Sequence, residues 1–335
     1  MKSRSMRLIQ GAALASTLAA SVLTFVGGSA APAGASSKVT IAFNVGAEAD
    51  PFFQSMYIGA AAEAKTLGVN LVWQGDPENY SPSTQLPVLQ ELYQLHPNAI
   101  VIAPTDTKAL EPITAQFVKA GIPVVNVDSG NAVQTNVSAW VTGYNELGGQ
   151  QAAKGLATAI GYSTNCTSSA KCYVGVGVSS LTTSTDAARV KGFTETVAKS
   201  YPNMVMLPAV VSNSEPTTAQ TKFAADLSAH NLVGIFAVDG TDAEGATAAV
   251  AAAGKTSSVK VFGYDAYASN EASMKAGTLS GIISQQPTLE GQLAVKYAYE
   301  AYKKQHVPHL TLIPNIVLTP SSSAATLAKY VYAAS

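Results

Sequence analysis

From Lys38 onward, short runs of apolar, β-branched residues alternate with longer Ala-rich stretches whose apolar positions recur every three or four residues. The runs read VTIAF, VNLVW, AIVIAP and VVNVDS, then YVGVGVS, MVMLPAVV, LVGIFAVD, VKVFGYD and LSGIISQ. Each is nearly continuously apolar, as a strand buried on both faces must be. Between the first two, Phe53, Met56, Tyr57, Ala60, Ala64 and Leu67 keep helical spacing, and Gly68 is placed to stop the helix. Gly121-Ile122-Pro123 repeats that stop before the fourth run. Strand–helix alternation predicts parallel sheets with right-handed crossovers and helices on both faces. There are too many strands for one comfortable doubly wound sheet, and the rhythm breaks between Ala139 and Asn145. The pattern therefore predicts an α/β protein of two similar doubly wound parallel-sheet lobes, with a closed eight-stranded barrel as the rival.

The N-terminus stands apart from this rhythm. Lys2, Arg4 and Arg7 precede an apolar run from Gly11 to Val26, and Ala33-Gly34-Ala35 has the small-x-small pattern of a cleavage site. Residues 1–35 thus read as a removable export signal, because the run is short for a bilayer span and no basic stop follows it. With no cysteine in or just after the segment, the mature chain is expected to begin near Ser36, free in a periplasmic or other extracytoplasmic space. About 300 residues remain, enough for two domains. Lys and Arg number 20 against 21 Asp and Glu, and only 12% of residues are charged. With no basic run, a nucleic-acid surface is excluded. Cys166 and Cys172 flank TSSAK. In an oxidising compartment they read as a disulfide, since no His or further Cys nearby completes a metal site.

In open α/β sheets, ligands bind beyond the carboxyl ends of the strands. Those ends carry Asp50 in ADPFF, Asp106 after IAPT and Asp128 after VVNV, then Asp239 after IFAV, Asp265 after VFGY and Gln285 after GIIS. Asp106 is placed to cap a helix. Asp128, Asp239 and Asp265 read as ligand groups instead, because no helical pattern starts at the next residue. No catalytic constellation accompanies them. There is no Gly-x-Ser-x-Gly elbow, and His96, His230, His306 and His309 fall at helix ends or in linkers. GVGV at 175–178 lacks the third glycine of a dinucleotide fingerprint and reads as a tightly packed strand. No catalytic residue, metal or cofactor is assigned. Carboxylates and amides without a nucleophile suit holding hydroxyls. Phe52 and Phe53 offer rings for the apolar face of a sugar. Phe53 continues the first helix's stripe and Phe52 does not, which favours Phe52 as the stacker and leaves the choice open.

These residues resemble the periplasmic sugar-binding proteins of the ribose/galactose-binding type, the soluble receptors of ABC importers, from about Lys38 to Thr319. ADPFF is similar to that family's Asn-Pro-Phe-Phe stacking loop, with Asp50 at the Asn position. AIVIAPTD and AGIPVVNVDS follow the family and imply Asp128 as a ligand. ARVKGF matches Arg-x-x-Gly-Phe and implies Arg189 as a hydroxyl donor. IFAVDG, VFGYD and GIISQQP imply Asp239, Asp265 and Gln285. An aromatic of the family's second lobe falls near Asn213. A similar branch, which binds rhamnose-like sugars and furanone autoinducers, implies a ligand at Thr185-Asp186. Ser129 departs from the ribose binders, which carry a basic residue there.

The resemblance implies the type I periplasmic-binding-protein fold, with lobe crossings near Gly143-Tyr144, Gln285-Gln286 and Pro314-Asn315. The lobes would be 36–143 plus 286–314, and 144–285 plus 315–335. The expected function is capture of a neutral sugar or polyol in the interlobe cleft by a monomeric, non-enzymatic receptor, and delivery to a membrane permease. A furanone or chemosensory receptor of the same fold and a secreted enzyme are the alternatives. A LacI-type regulator shares the core but needs a helix-turn-helix where the export signal stands.

Overall fold

A computed structural model describes residues 38–332; the expected export signal, 1–35, lies outside the described residues. In chain order the first elements are β1 (Thr40–Ala47), α1 (Pro51–Leu67), β2 (Asn70–Asp76), α2 (Pro82–Gln94), β3 (Ala99–Ile102), α3 (Glu111–Lys119), β4 (Val124–Val127) and β5 (Ala139–Gly143). Then come α4 (Asn145–Ala159), α5 (Tyr162–Asn165), β6 (Cys172–Val178), α6 (Ser184–Ser200), β7 (Met204–Met206), β8 (Val210–Val211), α7 (Pro216–Ala229) and β9 (Leu232–Ala237). The rest are α8 (Gly240–Ala252), β10 (Lys260–Tyr264), α9 (Ala268–Lys275), β11 (Gly281–Ser284), α10 (Pro287–Tyr302), β12 (Leu310–Ile313), β13 (Ile316–Leu318) and α11 (Ala324–Tyr330).

The strands form two open sheets, ordered β12-β5-β4-β3-β1-β2 and β13-β11-β10-β9-β6-β7, with β8 also pairing β6. The fold is the predicted pair of doubly wound lobes and not the barrel. Local chemistry sets its elements. Asp50 caps α1 by accepting from the Phe52 N–H at 2.8 Å, Pro51 opens the helix, and Gly68 ends it at φ 66°. Of the expected stripe, α1 buries Phe53, Met56, Ala60 and Ala64 but leaves Tyr57 exposed, and it buries Phe52, which was expected to lie off the stripe. The run MVMLPAVV divides into β7 and β8 around Pro208, which has no N–H to give a ladder. Gly177 packs as tightly as its reading requires, since a Cβ there would meet Phe223 at 2.5 Å.

The broken rhythm at 139–145 is β5 turning into α4, which leaves the first sheet and packs on α6 and the second sheet. The chain returns through α10, which packs on α1, and β12 then joins the edge of β5. Only Pro314 and Asn315 separate β12 from β13. Both sheets aim their parallel strands' carboxyl ends at one cleft, so a chain running straight across enters the second sheet from the cleft side. That is why β13 pairs β11 antiparallel where all other pairs are parallel. The three passages lie side by side. A side chain on Gly143 would come within 3.1 Å of Asn315 Oδ1 and 3.2 Å of Gln285 Oε1. Gln286 Nε2 donates to the Pro314 carbonyl at 2.8 Å, and Asn315 Nδ2 to the Tyr144 carbonyl at 3.0 Å. In the second lobe a Cys166–Cys172 disulfide ties α5 to β6. Closing so short a loop contributes about 2 kcal/mol.

Candidate ligand-binding site

The cleft between the lobes is closed. The Tyr267 hydroxyl donates to Asp50 Oδ1 at 2.6 Å, Thr183 Oγ1 to the Thr105 carbonyl at 2.9 Å, and the Gly130 N–H to Ser184 Oγ at 2.8 Å. Inside is a small cavity, of about 40 Å³. The first lobe lines it with Asp50, Phe52, Phe53, Tyr80 and Asp128. The second contributes Ser179, Thr185, Asp186, Arg189, Ser214, Asp239, Asp265 and Tyr267, and Gln285 stands at a crossing.

Asp128 and Asp265 follow β4 and β10 and take left-handed backbones, φ 55° and 62°. Few residues other than glycine tolerate this region, and Asp is one of them. Each N–H still reaches the adjacent strand, Asp128 to the Val141 carbonyl and Asp265 to that of Ile283. The Asp265 carboxylate is fully engaged: Gln285 Nε2 donates at 2.7 Å, the Tyr332 hydroxyl at 2.9 Å and the Gly240 N–H at 3.1 Å. Asp128 Oδ1 is buried without a hydrogen-bond partner, 3.9 Å from Arg189 Nη2. Arg189 lies over the Tyr264 ring at 4.0 Å and donates from Nε to Asn145 Oδ1 at 2.8 Å and from Nη1 to the Val238 carbonyl at 3.1 Å. Its other acidic neighbour, Asp186, is also 3.9 Å away and accepts from the Ser180 N–H.

Rings form the opposite wall. Phe52 meets Phe53 edge-on at 5.3 Å between centroids, and Phe53 stacks with Tyr80 at 6.4 Å. Tyr332, from the segment after α11, packs near Phe52 and Tyr267. This wall presents an apolar face, while the carboxylates and the guanidinium present an edge that reads hydroxyls.

Burial dominates the electrostatics. It pushes the Asp50 carboxyl up to about 7, against the Tyr267 and Phe52 donors. Asp128 is likewise pushed up to about 7 by burial and by Asp265, with Arg189 and the Ser129 N–H opposing. For Asp186, burial and the charge of Asp239 raise the carboxyl to about 8. Burial raises Asp265 as well, in spite of Arg189 and Gln285. At Asp239, burial is outweighed by donation from Asp242, Ser179 and Thr241, which holds the carboxyl below its ordinary value. Burial lowers the Arg189 guanidinium, but Tyr264, Asp265, Asp128 and Asp186 more than reverse this, so it stays charged.

Residues 41–306 match the model of the periplasmic binding protein domain. The chain belongs to the periplasmic binding protein family. Among this family's members, the ribose import binding protein of Escherichia coli K12 is 31% identical over 277 residues, 82% of this chain and 88% of that one. The D-allose-binding periplasmic protein of the same organism is 27% identical over 284 residues, covering 81% and 87%. The fold is shared with an ABC transporter solute-binding protein of Agrobacterium vitis bound with α-D-tagatopyranose. That structure has a TM-score of 0.83 and 29% identity, and the match covers 89% of this chain and all of that one.

The fold brings Asp50, Phe52, Phe53, Asp128, Asp186, Arg189, Asp239, Asp265 and Gln285 to one cavity. Two expectations need correction. Asn213 does not line the cavity and is exposed: Asn213 and Ser214 both take left-handed backbones (φ 57° and 58°), and Ser214 lines the cavity instead. Asp239 is a helix cap after all, accepting from the Asp242 N–H at 2.9 Å at the start of α8, and it faces the cavity as well. Its Ala-rich helix has no apolar stripe to announce a start. Sequence reasoning missed Tyr80, Ser179 and Tyr267, although all three follow strands and so carry the same positional signal as the acids. Tyr332 follows the last helix rather than a strand and carries no such signal.

Proposed function

We propose that this chain is an extracytoplasmic receptor that captures a sugar or sugar-like polyol between its lobes and hands it to the membrane permease of an ABC importer. One observation carries the reading: aromatic rings of the first lobe face hydroxyl-reading carboxylates and Arg189 of both lobes within one closed cavity. A sugar ring has an apolar face for the former and a hydroxyl edge for the latter. The relatives support it, since one is bound with tagatopyranose and another imports ribose. The proposed ligand groups are Asp50, Phe52, Phe53, Asp128, Asp186, Arg189, Asp239, Asp265 and Gln285, joined by Tyr80 and Tyr267.

The receptor works as a monomer and does not alter its ligand. Ligand groups on both lobes make the closed form bind better than an open one, and that difference drives closure about the three adjacent crossings. A thermal-shift screen of the mature protein against pentoses, hexoses, polyols and furanones tests the reading. A sugar or polyol should raise the melting temperature by mass action, and the bound compound should be recovered chemically unchanged. A furanone as the sole hit, or a transformed ligand, would overturn it.

A further inference from the structure

The cavity's charges do not balance. Asp50, Asp128, Asp186, Asp239 and Asp265 line it, and Arg189 is the only basic residue among its lining groups. A further acid, Glu290, is fully buried in the first turn of α10, within electrostatic reach of Asp128, and neither of its carboxylate oxygens has a hydrogen-bond partner. Arg189 offsets part of this excess through ion pairs with Asp128 and Asp186, but one cation faces five lining acids. Its Nε and Nη1 bond to Asn145 and to the Val238 carbonyl, and it stays 3.9 Å from both Asp128 and Asp186, beyond hydrogen-bond range.

The five lining acids divide into two groups. Asp239 and Asp265 each accept from three donors of the fold: Ser179, Thr241 and the Asp242 N–H for the first, and Gln285, Tyr332 and the Gly240 N–H for the second. The other three are undersupplied. Both bonds to Asp50 fall on Oδ1, Asp186 holds one N–H, and Asp128, 5% exposed, has its buried Oδ1 unpartnered.

A carboxylate removed from water needs a countercharge as well as donors. A neutral polyol supplies donors only. No group of acids among the described residues is arranged to hold a metal ion; in the empty protein protons neutralise part of the excess, and a cationic ligand can take their place. The facing rings of Phe52, Phe53, Tyr80 and Tyr267 complete a lining of aromatics and carboxylates, which is suited to an organic cation.

We infer that the ligand is a polyhydroxylated amine, namely an amino sugar, imino sugar or aminocyclitol, whose ammonium group is received by Asp128 with Asp50 and Asp186 around it. The inference rests on the sugar-receptor reading and replaces the neutral ligand expected from the sequence. Burial raises all three carboxyls, and Arg189 opposes this at Asp128 and Asp186 without reversing it, so a second cation brought by the ligand would meet unsatisfied acids.

Calorimetric titration of the mature protein with matched compounds tests it. The pairs are D-glucosamine and D-glucose, D-galactosamine and D-galactose, and 1,4-dideoxy-1,4-imino-D-ribitol and D-ribose, with the N-acetyl hexosamines as charge-neutral controls. In at least one pair the amine should bind tenfold or more tightly than its hydroxyl parent, because charge-assisted bonds are about twice as strong as neutral ones. N-acetylation should abolish the gain. Asp128→Asn, which keeps the side chain's shape, should narrow the preference to threefold or less. Neutral sugars binding as well as or better than their amines in every pair would overturn the inference and leave the receptor reading standing. Binding by neither series would overturn both.

Discussion

Asp128 in the first lobe and Asp265 in the second occupy matching places. Each follows a parallel strand, takes a left-handed backbone, and ties its N–H to a carbonyl of the neighbouring strand. Their carboxylates fare differently. Gln285, Tyr332 and the Gly240 N–H converge on Asp265, while Asp128 Oδ1 has no hydrogen-bond partner. One backbone device therefore carries one acid that is part of the fold and one that is held ready for something else. A strand-end position makes a residue a candidate; the donors around it decide whether its partner is the protein or a ligand.

Removing the satisfied acid should do the most damage. Asp265→Ala strands three donors, and leaving such groups unsatisfied costs about 1–3 kcal/mol apiece. Urea unfolding should register a loss of about 3 kcal/mol or more, with ligand binding weakened at least a hundredfold. Unchanged stability would erase the contrast between the two residues. Asp128→Asn should show the reverse balance. The empty protein stays at least as stable as the parent, while affinity for the hit compound falls about 10- to 100-fold, the worth of one charge-assisted bond. A clear drop in the variant's melting temperature without ligand would mean that Asp128 is structural too.

Tyr332→Phe sharpens the comparison from the satisfied side. It deletes the hydroxyl that donates to Asp265 and accepts from the Gln285 N–H, and should cost about 1–2 kcal/mol in urea. Stability equal to the parent's would show that Asp265 does not depend on this tail.

A further expected effect is that of pH. Asp50 and Asp128 are raised from 3.8 to about 7 and Asp186 to about 8, with Arg189, Asp239, Asp265 and Glu290 as charged or titratable neighbours. Between 3.8 and those values, the folded empty protein holds more protons than the unfolded chain. Its stability is therefore greatest at the acid end of that window and falls as pH rises through about 7 to 8. The melting temperature of the empty protein should be higher at pH 5.5 than at pH 8, with a shallower slope in Asp128→Asn. A steady rise toward pH 8 would contradict the assignment.

Much of this was legible in the sequence, because buried parallel strands must be continuously apolar and their ends must be polar where a ligand sits. AIVIAP, VVNVDS and VFGYD announced β3, β4 and β10, and with them Asp128 and Asp265. Three kinds of feature were not legible. The edge strands β12 (LTLI) and β13 (IVL) are apolar but only four and three residues long and partly exposed, so their runs are too short to stand out. Asn213 was misplaced because two successive left-handed residues turn the chain there, a backbone event without a distinctive residue type. Attention to carboxylates also passed over Tyr80 and Tyr267, whose hydroxyls and rings build the wall that the acids face. Whether an Asp is already satisfied depends on donors far away in the chain, such as Tyr332 for Asp265, 67 residues on.

The most direct test is a crystal structure of the protein with its screened ligand bound. Asp128 should gain a ligand donor within about 2.6–3.2 Å while Asp265 keeps Gln285, Tyr332 and the Gly240 N–H. A bound ligand that leaves Asp128 Oδ1 unpartnered, or that displaces the protein donors of Asp265 to make its main contact there, would contradict the division of labour between the two lobes.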